Sequence, residues 1–127
     1  MNTDLCTVIN KTKGKPPRLP FVSIKEKILG PKYDLSISFL SSTAQKKINN
    51  EYRNINKTTN VLSFSLSKNS GEITFDLMKV KSDAPVFGMT YPKFLKYLFI
   101  HGLLHLKGFE HSSTMEKEER KYLKMFD

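Results

Sequence analysis

Hydrophobic residues recur along the chain at two different periods. Phe21, Ile24 and Ile28 follow helical spacing and stop at Gly30-Pro31, a helix-ending pair. Leu35, Ile37 and Phe39 alternate with Ser36 and Ser38, the pattern of a half-buried strand. Ser41 or Ser42 can cap a helix that continues to about Tyr52, with Ala44 and Ile48 turned inward. Two further extended runs, Val61 to Leu66 and Glu72 to Leu77, flank a turn at Lys68 to Gly71 and predict a hairpin. Leu5 to Ile9 predicts a short first strand, and Lys11 to Pro20, with Gly14, Pro16, Pro17 and Pro20, a loop. Met78 to Pro85 fits neither period. Thr90 is placed to cap a helix, with Pro92 in its first turn, that runs to about Leu106 and stops at Gly108. A last helix, about Ser113 to Phe126, is expected to bury Met115, Tyr122, Met125 and Phe126. Its polar face carries Glu116, Lys117, Glu118, Glu119 and Lys121, and since residues 112–127 are neutral in total it reads as a solvated face. The fold class is α+β.

Length and composition narrow this picture. A chain of 127 residues suits one domain, spanning residues 1–127, and can hold a core without cross-links. Its single cysteine, Cys6, excludes a disulfide framework and reads as a small buried hydrophobe or a surface thiol. With 39% hydrophobic and 26% charged residues, wholesale disorder is not expected. The longest apolar stretch, Phe94 to Leu106, is interrupted by Lys96, His101 and His105, and Met1 to Asn10 lacks the features of a signal peptide. The expectation is a soluble cytoplasmic protein with no membrane partner. Formal net charge is +9, and seven basic against two acidic residues lie in residues 1–32. A surface of that sign attracts polyanions such as nucleic acid; a lysine-rich solvated surface without a partner is the plain alternative.

All 3 histidines fall between His101 and His111, spaced H-x-x-x-H-x-x-G-x-x-H. His101 and His105 lie one helical turn apart, so both imidazoles leave the same face. Gly108 then has to end the helix in a left-handed conformation that turns the chain back, so that His111 reaches the same point. A lone histidine on an apolar face is usually a satisfied core residue. Three with a glycine hinge between them point to one metal ion with a fourth position open. Zinc is the first expectation; nickel or copper suits the same ligands. The metzincin proteases share this spacing but carry a glutamate general base after the first histidine, where this chain has Gly102. Peptide hydrolysis by that route is not expected. Glu110 beside His111 can orient a ligand or serve as a surface carboxylate.

At this motif the chain resembles the YbeY family of bacterial metal-dependent endoribonucleases. The family signature is H-G-x-L-H-L-x-G-Y/F-D-H. It is met at His101, Gly102, Leu104, His105, Leu106, Gly108, Phe109 and His111, with Glu110 in place of Asp. Upstream, Tyr52-Arg53 resembles the family's Y-R, Thr59-Asn60-Val61-Leu62-Ser63-Phe64 its T-D-V-L-S-F strand, and Gly71-Glu72-Ile73 its G-D-I. The likeness covers about residues 35–125. Asn60 replaces a carboxylate near the family's cleft, while an Asn keeps the local hydrogen bonds of a turn.

The resemblance implies a mixed four-stranded sheet packed by helices, with the metal site on a helix and the following turn. It implies His101, His105 and His111 as ligands of one Zn2+ and Arg53 as the functional arginine. The chemistry of the guanidinium agrees, since it grips a phosphate through two parallel hydrogen bonds. A structural ion pair with Glu72 or Asp76 is the alternative for Arg53. The implied activity is a single-strand-specific endoribonuclease of 16S rRNA 3′-end maturation and ribosome biogenesis. Its partners would be ribosomal RNA and the small ribosomal subunit. Aromatic residues such as Tyr52 or Phe109 are candidates for stacking on an open strand. Two other readings stay open: a ribosome-associated RNA-binding factor with a structural metal, and a metal hydrolase of another substrate.

Overall fold

Among the described residues, four strands and five α-helices follow the order β1 Cys6–Asn10, α1 Phe21–Leu29, β2 Asp34–Leu40, α2 Ser42–Arg53, β3 Val61–Ser67, β4 Ser70–Asp76, α3 Leu77–Asp83, α4 Tyr91–Lys107 and α5 Ser113–Met125. The structure, a computed structural model, describes residues 5–127; the first four residues of the Met1–Asn10 segment lie outside it. The sheet order is β1-β2-β4-β3. β2 pairs in parallel with β1 and β4, while β3 and β4 form the expected antiparallel hairpin. This is the mixed sheet of a small α+β domain. Among the described residues, no helix is long and apolar enough to cross a membrane.

β2 is central, and both its faces are covered. Leu35, Ile37 and Phe39 are fully buried, and Ser38 is buried as well, so the strand is more enclosed than its alternation suggests. Phe39 stacks on Phe75 of β4 at 5.8 Å, and Phe21 of α1 meets both Phe39 and, edge-on, Phe99 of α4. This aromatic contact joins α1, β2, β4 and α4 into one core. Cys6 sits fully buried at its edge, where burial raises the thiol pKa and keeps it protonated and inert.

Helix ends follow their chemistry. The Ser41 hydroxyl accepts from the Ala44 N–H at 3.2 Å and Thr90 accepts from the Lys93 N–H at 3.4 Å. α2 departs from expectation on its inner face, where Gln45 and Asn49 are buried while Ala44 and Ile48 are only half-buried. Their amides tie α2 to backbone that side chains alone would not hold. Gln45 Nε2 donates to the Thr74 carbonyl at 3.1 Å, and Asn49 Nδ2 to the Lys57 carbonyl at 2.8 Å. The segment without a clear period resolves into α3 and a 3-10 turn, Ala84–Phe87. Asp76 starts α3 by accepting from the Lys79 N–H with Oδ1, while its Oδ2 accepts from Thr58. In α5, Met115 and Tyr122 are buried as expected and Phe126 is half-buried. Met125 is 46% exposed, and the expected solvated face is broken by Glu119, which is only 5% exposed.

Close backbone approaches seat the sheet and α4. A Cβ on Gly71 would come 2.4 Å from the Tyr33 hydroxyl and 2.9 Å from the Phe64 carbonyl oxygen, whereas one on Gly14 meets nothing within 4 Å. Gly71→Ala is therefore expected to cost at least about 1–3 kcal/mol of unfolding free energy, and Gly14→Ala close to nothing. Urea denaturation of the two variants side by side tests this, and equal midpoints would contradict the close-approach argument.

Candidate metal centre and its cleft

α4 carries the first two histidines because it is buried on nearly every other side. Phe94, Leu95, Phe99, Ile100, Leu103 and Leu104 are all fully buried. One stripe, Tyr97, His101 and His105, is left to face the edge strand β3 across an open cleft. Gly108 ends the helix with φ 110°, ψ 3°, as the hinge argument requires. Its N–H bonds the His105 carbonyl at 3.0 Å, and the Phe109 N–H bonds the Leu104 carbonyl at 3.0 Å. The reversed chain brings His111 back over the helix, its ring centroid 4.7 Å from that of His105 and 5.1 Å from that of His101. One nitrogen from each of the three rings lies within 4.8 Å of the others.

The inner nitrogens are aimed from behind. His105 Nδ1 faces the Phe109 carbonyl oxygen at 3.1 Å, and His101 Nδ1 is in hydrogen-bond contact with Glu119 Oε2. A carbonyl and a carboxylate only accept, so each Nδ1 carries the proton and donates. That leaves the two Nε2 atoms as bare lone pairs, and they face each other 3.1 Å apart. Burial, and next the neighbouring His101, hold the His105 pKa below the usual imidazole value, which favours its neutral form. Two acceptors so placed can bind one cation between them. Two nitrogens bound to one tetrahedral ion at about 2.0–2.1 Å would stand about 3.3–3.4 Å apart, close to the observed spacing. The donor set fits a metal ion.

Glu119 is the site residue that the sequence reading missed. Its other oxygen, Oε1, accepts from the Tyr97 hydroxyl at 3.5 Å. Burial and this carboxylate raise the Tyr97 pKa, so the phenol keeps its proton. The signal was present in the spacing: Glu119 lies four residues after Met115 and three before Tyr122, on the apolar face of α5. Glu110, the alternative candidate, has an exposed side chain and no part in the centre.

The cleft has a volume of about 620 Å³, and its lining includes Arg53, Asn60, Tyr97 and all three histidines. Arg53 is the last residue of α2, followed by Asn54 in the left-handed region at φ 55°. It is exposed, and no described residue pairs with its guanidinium, so the expected alternative of an ion pair with Glu72 or Asp76 is absent among the described residues. Asn60 Nδ2 donates to Asp83 Oδ2 at 3.0 Å, a bond that an Asp at this position could not make. Gly102 also lines the cleft, and a Cβ there would come 3.1 Å from Ile73 Cδ1. A glutamate at the metzincin position would press on the Ile73 side chain, which would have to give way. The stacking candidates Tyr52 and Phe109 are not in the lining; Tyr52 packs on Phe64 at 5.1 Å.

The family model described as Endoribonuclease YbeY matches residues 19–127. This chain belongs to the YbeY family. The match begins before the first of the shared motifs, within the loop that precedes α1. Among relatives named Endoribonuclease YbeY, that of Mycoplasmopsis synoviae is 36% identical over 70% of this chain and 64% of its own length. That of Campylobacter jejuni is 36% identical over 78% of this chain and 79% of its own. The solution structure of TM1509 from Thermotoga maritima superposes with a TM-score of 0.65 at 25% identity, covering 94% of this chain and 87% of that one. The YbeY motif thus coincides with the helix, hinge and returning histidine described above.

Two outcomes are expected for this centre. Glu119→Ala should weaken metal binding by about 10- to 100-fold, and Glu119→Gln by less, because an amide oxygen still accepts from His101 Nδ1 but without charge. Competition against a chromophoric chelator measures both, and undiminished affinity in Glu119→Ala would remove the orienting role. Metal should also be lost on acidification toward pH 5, because a proton takes the lone pair that the ion needs, and the lowered His105 pKa moves that loss to lower pH than an ordinary imidazole would give. Metal content after dialysis at stepped pH reads this directly, and retention at pH 4 would contradict histidine ligation.

Proposed function

We propose that this YbeY family member is a metal-dependent endoribonuclease that cuts single-stranded ribosomal RNA, with His101, His105 and His111 holding one zinc ion and Arg53 gripping the substrate. The observation that carries this reading is the convergence of three imidazole nitrogens in the same cleft as an unpaired arginine. The family's activity makes the chain a nuclease of rRNA maturation, and the substrate region proposed is the 3′ end of 16S rRNA in the small ribosomal subunit. The net charge of +9 supports a polyanionic substrate. Cytoplasmic action is proposed with it.

The chain's own residues divide the work. His101 and His105 present Nε2 lone pairs because Glu119 and the Phe109 carbonyl hold their Nδ1 protons. A zinc ion, when bound, supplies Lewis-acid polarisation of a phosphate oxygen. Arg53 places a fixed fork of donors where negative charge gathers on the phosphate, and its lack of any other partner leaves that fork free. Asn60, through Asp83, holds the start of β3 against α3, so that the edge strand forms the opposite wall. Gly102 keeps α4 close to the sheet and leaves no carboxylate base beside the first histidine, which counts against a protease.

Arg53→Ala is expected to leave metal content and melting temperature nearly unchanged and to slow RNA cleavage by about 10- to 1000-fold. Arg53→Lys should recover only part, because it restores charge without the two-pronged geometry. Single-turnover cleavage of an rRNA fragment, with melting temperature taken on the same preparations, decides between substrate binding and a structural role. Cleavage should also vanish with chelator and in His105→Ala while RNA binding persists. Binding without cleavage by the zinc-loaded parent protein would instead favour an RNA-binding factor with a structural metal.

A further inference from the structure

Phe87 lines the cleft and is 56% exposed. One of its faces lies on Phe94, with ring centroids 4.9 Å apart and planes 23° from parallel. Phe94 is fully buried, so the exposed part of Phe87 is its other face and its edge. The stack continues inward: Phe94 lies 6.2 Å from Tyr97 at 13°, and Tyr97 lies 6.2 Å from His101 at 31°. A run of neighbouring rings, stacked from Phe87 to Tyr97 and tilted at His101, therefore leads from the candidate metal centre to an open aromatic face at the cleft's rim. We propose that this open face of Phe87 is a stacking platform for one unpaired nucleobase of an RNA strand lying in the cleft.

This inference rests on the endoribonuclease reading and extends it to a base subsite flanking the point of cleavage. Three features support a base as the occupant. The ring is presented on a closed turn: the Gly88 N–H bonds the Pro85 carbonyl at 3.0 Å, the Met89 N–H bonds the Ala84 carbonyl at 3.1 Å, and Ala84 is buried. Stacking there orders little additional chain. The subsite also shares its cleft with Arg53 and with no aspartate or glutamate, so a strand that stacks on Phe87 meets a cation and no repelling carboxylate. Finally, stacking on a bare ring face is tolerant of sequence and demands an unpaired base, which matches a single-stranded substrate. Val86, next to Phe87 in the chain, is 80% exposed, and a protein partner covering this apolar turn is the competing occupant.

The test uses the full-length, zinc-loaded protein and a fluorescein-labelled single-stranded oligoribonucleotide, with Phe87→Ala, Phe87→Leu and Phe87→Trp. Phe87→Ala and Phe87→Leu should each raise Kd and KM by roughly 5- to 150-fold, with the loss falling on KM rather than kcat, while Phe87→Trp stays near the parent. Leucine keeps the apolar volume, so a folded Phe87→Leu protein with normal zinc content and raised KM isolates the aromatic face from packing. If Phe87→Ala and Phe87→Leu bind and cleave like the parent, the stacking platform is overturned and the rim is assigned to a protein partner, with the endoribonuclease reading intact. If the parent binds this RNA in a Phe87-dependent way but does not cleave it, the platform stands and the endoribonuclease reading falls. If the parent does not bind the RNA at all, both fall.

Discussion

The burial of α4 is the interaction on which the rest depends. Six of its apolar side chains are fully buried, against the sheet, α1 and α5. At about 1.5–3 kcal/mol each, they anchor the helix by on the order of 10 kcal/mol. The helix also carries the two imidazole Nε2 atoms that face each other 3.1 Å apart. Burial of its apolar sides therefore fixes where the two ligand rings stand relative to one another. The same packing bears on Gly102, where a methyl group would already press on the Ile73 side chain.

Orientation comes from elements distant in sequence. His105 is aimed by a backbone carbonyl four residues on, so its orientation is guaranteed wherever Gly108 turns the chain left-handed. His101 depends instead on a carboxylate from α5, eighteen residues away. That dependence gives α5 a second purpose. Met115 and Tyr122 dock it on the core, and Glu119 between them reaches the stripe of α4 that faces the cleft. A buried carboxylate without a partner would be costly; the proton on His101 Nδ1 and the Tyr97 hydroxyl make it tolerable and fix its two oxygens in different directions.

Most of the fold was legible because its signals are local. Strand alternation, the serine and threonine caps and the glycine stops each act within a few residues, and each element they predict is present. The three histidines were legible for the same reason, since one turn of helix and one glycine bring them together. Legibility failed where a polar residue is buried by a partner far along the chain. Gln45 and Asn49 face inward because they bond backbone on β4 and on the loop before β3, which no helical periodicity encodes. Glu119 looked like one charge among several on a solvated face, and only its register with Met115 and Tyr122 marked it otherwise. Phe87 escaped notice because its segment has no period at all; its meaning comes from the ring of Phe94 beneath it.

The cleft's electrostatics follow from one further pairing. Its lining holds Arg53 and three imidazoles but no aspartate or glutamate. Two acidic groups reach its walls from behind: Glu119 is engaged by His101 and Tyr97, and Asp83 by the Asn60 amide and by Lys79 at 3.1 Å. A free carboxylate about 4 Å from a phosphate would oppose it by roughly 1–4 kcal/mol, depending on how much water remains between them. Asn60 removes one such charge directly, and Lys79 offsets the next. The cleft is left attractive to an anion along its whole length, from the arginine on α2 to the histidines on α4, and the aromatic run on its rim adds affinity that does not depend on charge. A polyanion with flat, unpaired bases is the ligand that uses both.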